Sequence, residues 1–303
     1  MASKLLTIIF LSVVTLCCQG ASILVGKIQA NHFKSIQARA NSDFGNYDFK
    51  HLTREQTELI LLHHALQLGG YQHEIHVHGI DHSYLRGLQL VTSGTYSMLG
   101  YSVWKSTVSQ HSNLNISLPL VAKGDYQVGL YTMPSNQRAM STRRFRDLEN
   151  LVAVSQRGYT VDWETLEGLN LKDIIHTSHW GNMIKLIHSG RADFMLLPFQ
   201  NTPNMALVHP LPYRNDVKEV TLVPIPEVTV YLNDDRVWAI NSLRPDGIDI
   251  LQALNKGITQ MRQEGIIHQA FVDSGLINIK TQHWTVINQP QTETKPETSK
   301  GKH

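Results

Sequence analysis

NLKDIIHTSHWGNMIKLIHSGRADFMLL, residues 170–197, is the stretch whose reading decides the fold. Asp173–His176 has an apolar centre between polar ends and reads as a short strand. Ser178 is placed to cap a helix over 179–188, with Ser189-Gly190 as its stop. Residues 193–197 (DFMLL) then form a continuous apolar run of strand length, as a buried strand requires. Strand, helix and strand in such quick succession leave room for one arrangement, a βαβ unit in a parallel sheet covered by helices.

The same alternation extends in both directions. Upstream, a short helix over 145–148 precedes a strand over 151–155. The turn Gln156-Arg157-Gly158-Tyr159-Thr160 then opens a helix over 161–169. Nearer the N-terminus, 22–28 (SILVGKI) reads as a strand, followed by a polar stretch to about residue 50. Residues 52–68 show helical periodicity, with Leu59, Leu61, Leu62, Ala65 and Leu66 near one face. Thr53 with Gln56 fits a capping box, and Gly69-Gly70 ends the helix. Strands are expected over 71–78, within 94–104 and over 126–131, with a helix over 81–90. Beyond the central unit come strands within 220–232 and 236–240, a helix over 247–264 and a helical piece over 268–274. The tail 289–303 is polar and Pro-containing and reads as disordered.

Composition excludes several classes. Hydrophobic residues make up 42% of the 303 and charged residues 17%, which fits a globular chain with a sizeable core. The formal net charge of +2 gives no electrostatic footprint for nucleic acid. Lys4, the apolar run 5–18 and the residues Gly20-Ala21 have the parts of a secretory signal peptide, with a mature start near Ala21. That run is shorter than the roughly 20 residues a membrane-spanning helix needs. Cys17 and Cys18 both fall inside it, so the expected mature chain carries neither a disulfide nor a thiol nucleophile, which suits a bacterial periplasm.

The segment 170–197 resembles the second lobe of the family 3 extracellular solute-binding proteins. There a strand leads to a polar residue, a helix ends at a small residue followed by Gly-Arg, and an Asp opens a hydrophobic strand. Ser178, Ser189-Gly190-Arg191 and Asp193 match those places. Residues 148–163 resemble the family's strand, Gly-containing turn and helix, and 255–271 its closing helix; the helix over 52–68 and Arg86 resemble a gammaproteobacterial branch. The likeness spans about 22–276 and rests on the order of several motifs. It implies an α/β, two-lobed type II periplasmic-binding-protein fold. One lobe would combine 22–127 with 224–288 and the other would be 134–216, each a mostly parallel sheet flanked by helices. Hinge strands over 128–133 and 217–223 would cross between them. It also implies a periplasmic monomer that captures a small solute by lobe closure, for the membrane subunits of an ABC importer or a sensor-kinase ectodomain, with no cofactor and no catalysis.

Two departures bear on the ligand. Amino-acid binders of the family carry an acid about five residues after the Asp matched by Asp193; here Pro198 stands there. They also carry an Arg after the first lobe's central strand, where this chain has Trp104-Lys105-Ser106-Thr107. Lys105 would act there as a point cation rather than a planar fork.

The candidate ligand-binding residues are Trp104, Lys105, Arg157, Gly158, Tyr159, Thr160, Trp163, Asp193, Phe199 and Gln200. Arg157 to Thr160 precede a helix, where free N–H groups and the macrodipole favour an anionic group. Tyr159 and Trp163 offer stacking surfaces, or the turn is an ordinary cap with a core Trp. Trp104 and Lys105 are either an aromatic wall with a cation or a core ring with a solvated amine. Asp193 either touches solute or braces the sheet; Phe199 and Gln200 follow a strand end on the expected cleft side. The expected solute is small and polar and bears an anionic group.

A rival reading comes from the His-dense run 73–82. His76, His78, Asp81 and His82 superficially resemble the metal-binding signature of zinc-dependent hydrolases, but Gly79 and Ile80 put one residue too many before Asp81. A second rival is an interaction protein that kept the fold and lost the ligand. The sequence has no G-x-S-x-G elbow and no phosphate-binding glycine loop.

Overall fold

The computed structural model describes residues 20–39, 47–50, 52–210 and 219–289. Most of the expected signal peptide and most of the expected disordered tail lie outside the described residues. The chain opens with β1 (Ala21–Val25), α1 (Lys27–Arg39), α2 (Arg54–Leu68), β2 (Ile75–Gly79), α3 (Tyr84–Thr92), β3 (Met98–Leu99), β4 (Val103–Trp104), α4 (Lys105–Val108) and β5 (Leu114–Ile116). It continues through β6 (Gln127–Thr132), α5 (Gln137–Met140), a 3-10 turn (Phe145–Leu148), β7 (Val152–Ser155), α6 (Thr160–Glu167), β8 (Asp173–His176), α7 (Trp180–His188), β9 (Met195–Leu197), β10 (Leu207–Pro210) and β11 (Glu219–Pro224). It closes with β12 (Val228–Tyr231), β13 (Arg236–Val237), β14 (Ala239–Asn241), α8 (Gly247–Gln263), α9 (Ile266–Asp273) and β15 (Thr285–Val286).

These strands build the same pattern twice. The first sheet runs β2-β1-β3-β14-β5, with β2, β1 and β3 parallel and β14 antiparallel to both of its neighbours. In the second, β7 and β8 are parallel, and a parallel bridge from Ala153 to Phe194 sets the approach to β9 beside β7. β9 is antiparallel to β6, which is antiparallel to β11. The second order is therefore β8-β7-β9-β6-β11-β10, again three parallel strands and one reversed strand, with β11 and the antiparallel β10 beyond it. This is the two-lobed α/β architecture, and its parallel strands concentrate on the side of each sheet away from β14 or β6.

β6 changes partners along its length. Gln127 and Val128 pair with β12, whereas Tyr131 and Thr132 pair with β11. β6 and β11 thereby link the two groups of strands. The apolar core follows them, running from Ile23, Met98 and Trp238 through Val128 and Leu130 to Ala153, Leu166 and Phe194.

Local sequence explains the helices that frame the site. The capping box of α2 is present, with Gln56 N–H donating to Thr53 Oγ1 and Thr53 N–H to Gln56 Oε1. Most of α2 is buried, and it crosses α8 so closely that a Cβ on Gly257 would overlap the Ala65 carbonyl. Three features depart from the sequence reading. The polar stretch after β1 contains α1, whose weakly apolar face gives little periodic signal. The strands β5, β10 and β15 were not anticipated, being two to four residues long. Ser178 does not cap α7; His179 occupies the cap position and makes no side-chain cap bond. Among the described residues no helix is long and apolar enough to cross a membrane.

Candidate functional site

In open α/β sheets the ligand crevice lies outside the carboxyl ends of the parallel strands, where connections leave the central strand in opposite directions. Both sheets have such a point. In the first it is served by the loop after β3, leading through Ser102 to Trp104. In the second it is the turn after β7, residues 156–160, which opens α6.

On the first lobe this loop covers a buried charge cluster. Glu58 is fully buried and accepts from Arg54 Nη1 at 3.1 and 3.0 Å. It also accepts from Ser102 N–H at 2.8 Å and Ser102 Oγ at 2.7 Å. Arg236 reaches the same serine, donating from Nε to its Oγ at 2.9 Å and from Nη2 to its carbonyl at 2.6 Å. Its guanidinium lies 4.5 Å from the centre of the Trp104 ring, and Tyr126 borders that ring at 6.3 Å. Burial opposes the Arg54 cation, but Glu58 and Glu55 outweigh it and hold its pKa above the ordinary value. Arg236 is shifted the other way, by burial and by the neighbouring Arg54. Burial pushes the Tyr126 and Tyr101 phenols up to about 12, so both stay neutral hydrogen-bonding groups.

The second lobe presents the start of α6. Tyr159 holds the cap position and provides no side-chain cap, and among the described residues the amides of Thr160, Val161 and Asp162 meet no acceptor. A Cβ on Gly158 would meet nothing within 4 Å, so the space in front of the turn is open. Arg157 lies over Trp163, 5.3 Å from the ring centre, and its amide donates to His176 Nδ1 at 3.2 Å. Trp163 donates to Glu167 Oε1 at 2.7 Å and meets His176 edge-on. Asp162, in the first turn of α6, makes no hydrogen bond or ion pair among the described residues. Burial pushes its carboxyl up to about 6, against the pull of Arg236 on the other lobe.

Arg157, Gly158, Tyr159, Thr160 and Trp163 lie together at the start of α6, and Trp104 stands on the loop after β3 against Arg236. The other sequence-selected residues are placed differently. Lys105 is bound by Asp235 at 2.9 Å, which together with the attraction of that carboxylate raises the pKa of the amine. Asp193 is buried and accepts from Arg138 Nη2 at 2.7 Å, Asn136 Nδ2 at 2.9 Å and Val152 N–H at 2.8 Å. Burial opposes ionisation there, but those donors hold its pKa below the usual range, and both oxygens are engaged in joining β7 to the segment after β6. Phe199 is buried against Trp284, centroids 5.4 Å apart, and lines a cavity of about 50 Å³ with Gln127, Leu276 and Thr281. Gln127 and Tyr126 are successive residues pointing to opposite sides of the strand, so Phe199 lies on the face away from Trp104. Gln200 donates its amide to the Tyr131 hydroxyl and its side chain to the Pro198 carbonyl.

The histidine run disperses. His76 lies 3.3 Å from Glu74, Asp81 pairs with Lys27 at 3.2 Å, and His78 packs on Tyr96. His82 is held between the Ile80 carbonyl and the Tyr101 hydroxyl. Among the described residues no group of three or more His, Cys, Asp or Glu converges as a metal site.

Sequence reasoning missed Arg54, Glu58, Asp162 and Arg236. Asp162 had a signal, since it stands two residues after the selected Thr160. The others had none, because Arg236 meets Trp104 only through the β4–β13 pairing.

No protein-family model matches the chain, and no curated protein matches it. Among solved structures it is similar to AbpA, an amino acid ABC transporter substrate-binding protein of Streptococcus pneumoniae bound to L-arginine, at 16% identity over 72% of this chain and 83% of that one, TM-score 0.46. It is also similar to ytmK of Bacillus subtilis, a probable amino-acid ABC transporter extracellular-binding protein, at 13% identity over 71% of this chain and 85% of that one, TM-score 0.47. The second substrate-binding domain of Lactococcus lactis GlnP, in an open conformation, is similar at 12% identity over 72% of this chain and 84% of that one, TM-score 0.44.

Proposed function

We propose that the chain is an exported solute-binding protein that captures a small polar solute bearing an anionic group between its two lobes. One observation carries this reading. The connections after β3 and β7 stand at the carboxyl ends of the parallel strands of the two sheets, and the reading takes them as complementary halves of one binding surface. One half is a ring backed by a buried cation, Trp104 on Arg236. The other is an uncapped helix start with unoccupied amides and open space over Gly158. An anionic group at such a start gains about 0.3–1 kcal/mol from the helix alone, more where water is excluded.

The groups assigned to the solute are Trp104, Arg157 to Thr160, Trp163, Asp162 and Arg236. Lys105, Asp193, Phe199 and Gln200 are assigned to holding the frame. The lobes are taken as 22–127 with 224–288, and 134–216. The chain is placed in the periplasm after cleavage near Ala21, as a monomer serving an ABC importer or a sensor, and it performs no chemistry on its ligand.

A thermal-shift screen over organic acids, amino acids, peptides and sugars tests this, because a ligand that binds only the folded state raises the melting temperature. The reading expects a hit among compounds with an anionic group, weakened severalfold by Arg157→Ala and by Thr160→Ala without loss of stability. A hit left unchanged by both variants would remove the α6 turn from the site. A screen with no hit would favour an interaction protein on this fold.

A further inference from the structure

We propose that Arg54 is an anion-binding group and that Glu55 holds its place: the solute's anionic group displaces the Glu55 carboxylate from the guanidinium, so Glu55 is a tethered competitor that weakens capture. This rests on the anion-capture reading above and adds to it a residue on α2 and a brake on affinity.

Two guanidinium groups stand behind the loop after β3, and they differ in the donors they have to spare. Arg236 commits Nε and Nη2 to Ser102, at 2.9 and 2.6 Å. Arg54 gives Nη1 to both oxygens of Glu58, at 3.1 and 3.0 Å, and Nη2 to Glu55 Oε1 at 2.8 Å. Among the described residues its Nε meets no acceptor. Nε and Nη2 share one edge of a guanidinium, and such an edge takes a carboxylate through two parallel bonds. On Arg54 that edge carries a single oxygen of Glu55 and an unused donor. The Arg54 side chain is 25% exposed, so the edge is open to water. The start of α2 is closed by the Thr53–Gln56 capping box, so it is the side chain and not the helix amides that is on offer.

Hydrogen bonds tie that edge to the crevice of the first sheet. Glu58 joins Arg54 to the Ser102 N–H and Oγ, and Ser102 joins both to Arg236 and so to the Trp104 ring. Two cations and two carboxylates meet in this network, and the carboxylates are held unequally. Glu58 is fully buried and accepts four hydrogen bonds. Glu55 is 34% exposed and accepts one from Arg54, its immediate neighbour in sequence. Successive residues on a helix do not face each other, so the backbone gives this pair no support. Burial opposes ionisation of Glu55, but chiefly Arg54 holds its pKa below the ordinary value, so it is a charged carboxylate that occupies the edge. Exchange conserves charge: a solute anion takes the place opposite Arg54, and Glu55 swings into water, where it is solvated. Because Glu55 is tethered, it competes at a fixed local concentration whatever the solute concentration.

Succinate and sulfate serve as probes, titrated by calorimetry into the wild type, Glu55→Gln, Arg54→Lys, Thr160→Ala and Glu149→Gln, with thermal melting to confirm folding. Glu149→Gln removes the same charge from an exposed residue on another element. Glu55→Gln should bind both probes about fivefold more tightly than the wild type, the worth of one exposed ion pair. Arg54→Lys keeps the cation and loses the fork, and should bind succinate about tenfold more weakly. Glu149→Gln should match the wild type. Opposite effects at adjacent residues separate binding from a structural role, since a weakened α2 would lower affinity in both variants. Affinity unchanged or lowered in Glu55→Gln, an equal gain in Glu149→Gln, or unchanged affinity in Arg54→Lys overturns the proposal. If Thr160→Ala weakens the probes while the Arg54 and Glu55 variants bind as the wild type does, the proposal falls and anion capture at α6 stands. If the Arg54 and Glu55 variants respond as expected and Thr160→Ala does not, the α6 turn leaves the site and Arg54 remains. Binding of neither probe to any of the five proteins overturns both.

Discussion

Replacing Glu58 by Gln perturbs the first lobe at its most connected charge. The side chain is fully buried, receives four hydrogen bonds at 2.7–3.1 Å from Arg54 and Ser102, and has Arg236 Nε 3.8 Å away. Gln keeps the shape and removes the charge. Its NH2 must face the Arg54 guanidinium in either orientation, donor against donor, and two buried guanidinium groups lose a shared counter-charge. Breaking a buried pair in this way costs about 3–5 kcal/mol. Urea unfolding followed by circular dichroism should show a lower midpoint with an unchanged slope, since little surface exposure changes. Adding Arg54→Met to the variant should recover part of the loss, because it removes one of the stranded cations. A loss below about 1 kcal/mol for Glu58→Gln would refute the view that this carboxylate holds the loop after β3 in place.

Asp162→Asn should stabilise the free protein at pH 7.5 by about 2 kcal/mol, a value discounted for partial exposure from its shift of 3.8 to about 6. The folded pKa lies above the unfolded one, so the wild type is at full strength below the unfolded pKa and loses stability as pH rises through the folded pKa. The difference should therefore vanish towards pH 4, and urea melts at both pH values giving the same gap would contradict it. Gly257→Ala should cost about 2–3 kcal/mol, because its methyl group meets the Ala65 carbonyl and must push α8 from α2; a neutral melt would show the crossing to be adaptable. Asp193→Asn should lose about 2–4 kcal/mol and leave affinity for any screened solute unchanged, and the reverse result would return Asp193 to the site.

The parts legible in sequence were those written in short-range pattern. The βαβ unit at 170–197, the capping box at Thr53 and Gln56 and the turn before α6 each combine a period with punctuation, and each signal lies within a few residues. α1 was missed because its apolar positions are sparse, and β15 because a two-residue strand has no period at all. The two sheets could not be assembled from pattern, since β14 and β6 enter them from distant parts of the chain. The same limit divides the site. The α6 half is one continuous segment, whereas the Trp104 half takes Arg54 and Glu58 from α2, Ser102 from a loop and Arg236 from β13.

That division changes how the absent arginine is understood. The resemblance placed a guanidinium just after the first lobe's central strand, where the sequence offers only Trp104 and Lys105. The structure supplies one from elsewhere: antiparallel register sets Arg236 opposite Trp104 and lays it against the ring. The two are not equivalent in what they can offer. Arg236 has its Nε and Nη2 fixed on Ser102, and it sits beneath an aromatic face, so little of its fork is open to pair edge-on with a carboxylate. Its positive charge still favours the ionised form of Asp162. A cation that acts through space sets the charge a solute must carry and leaves its shape to the amides of α6 and the ring of Trp104. Arg236→Met would therefore weaken anionic solutes broadly, whereas Thr160→Ala would weaken them according to how each one meets the turn.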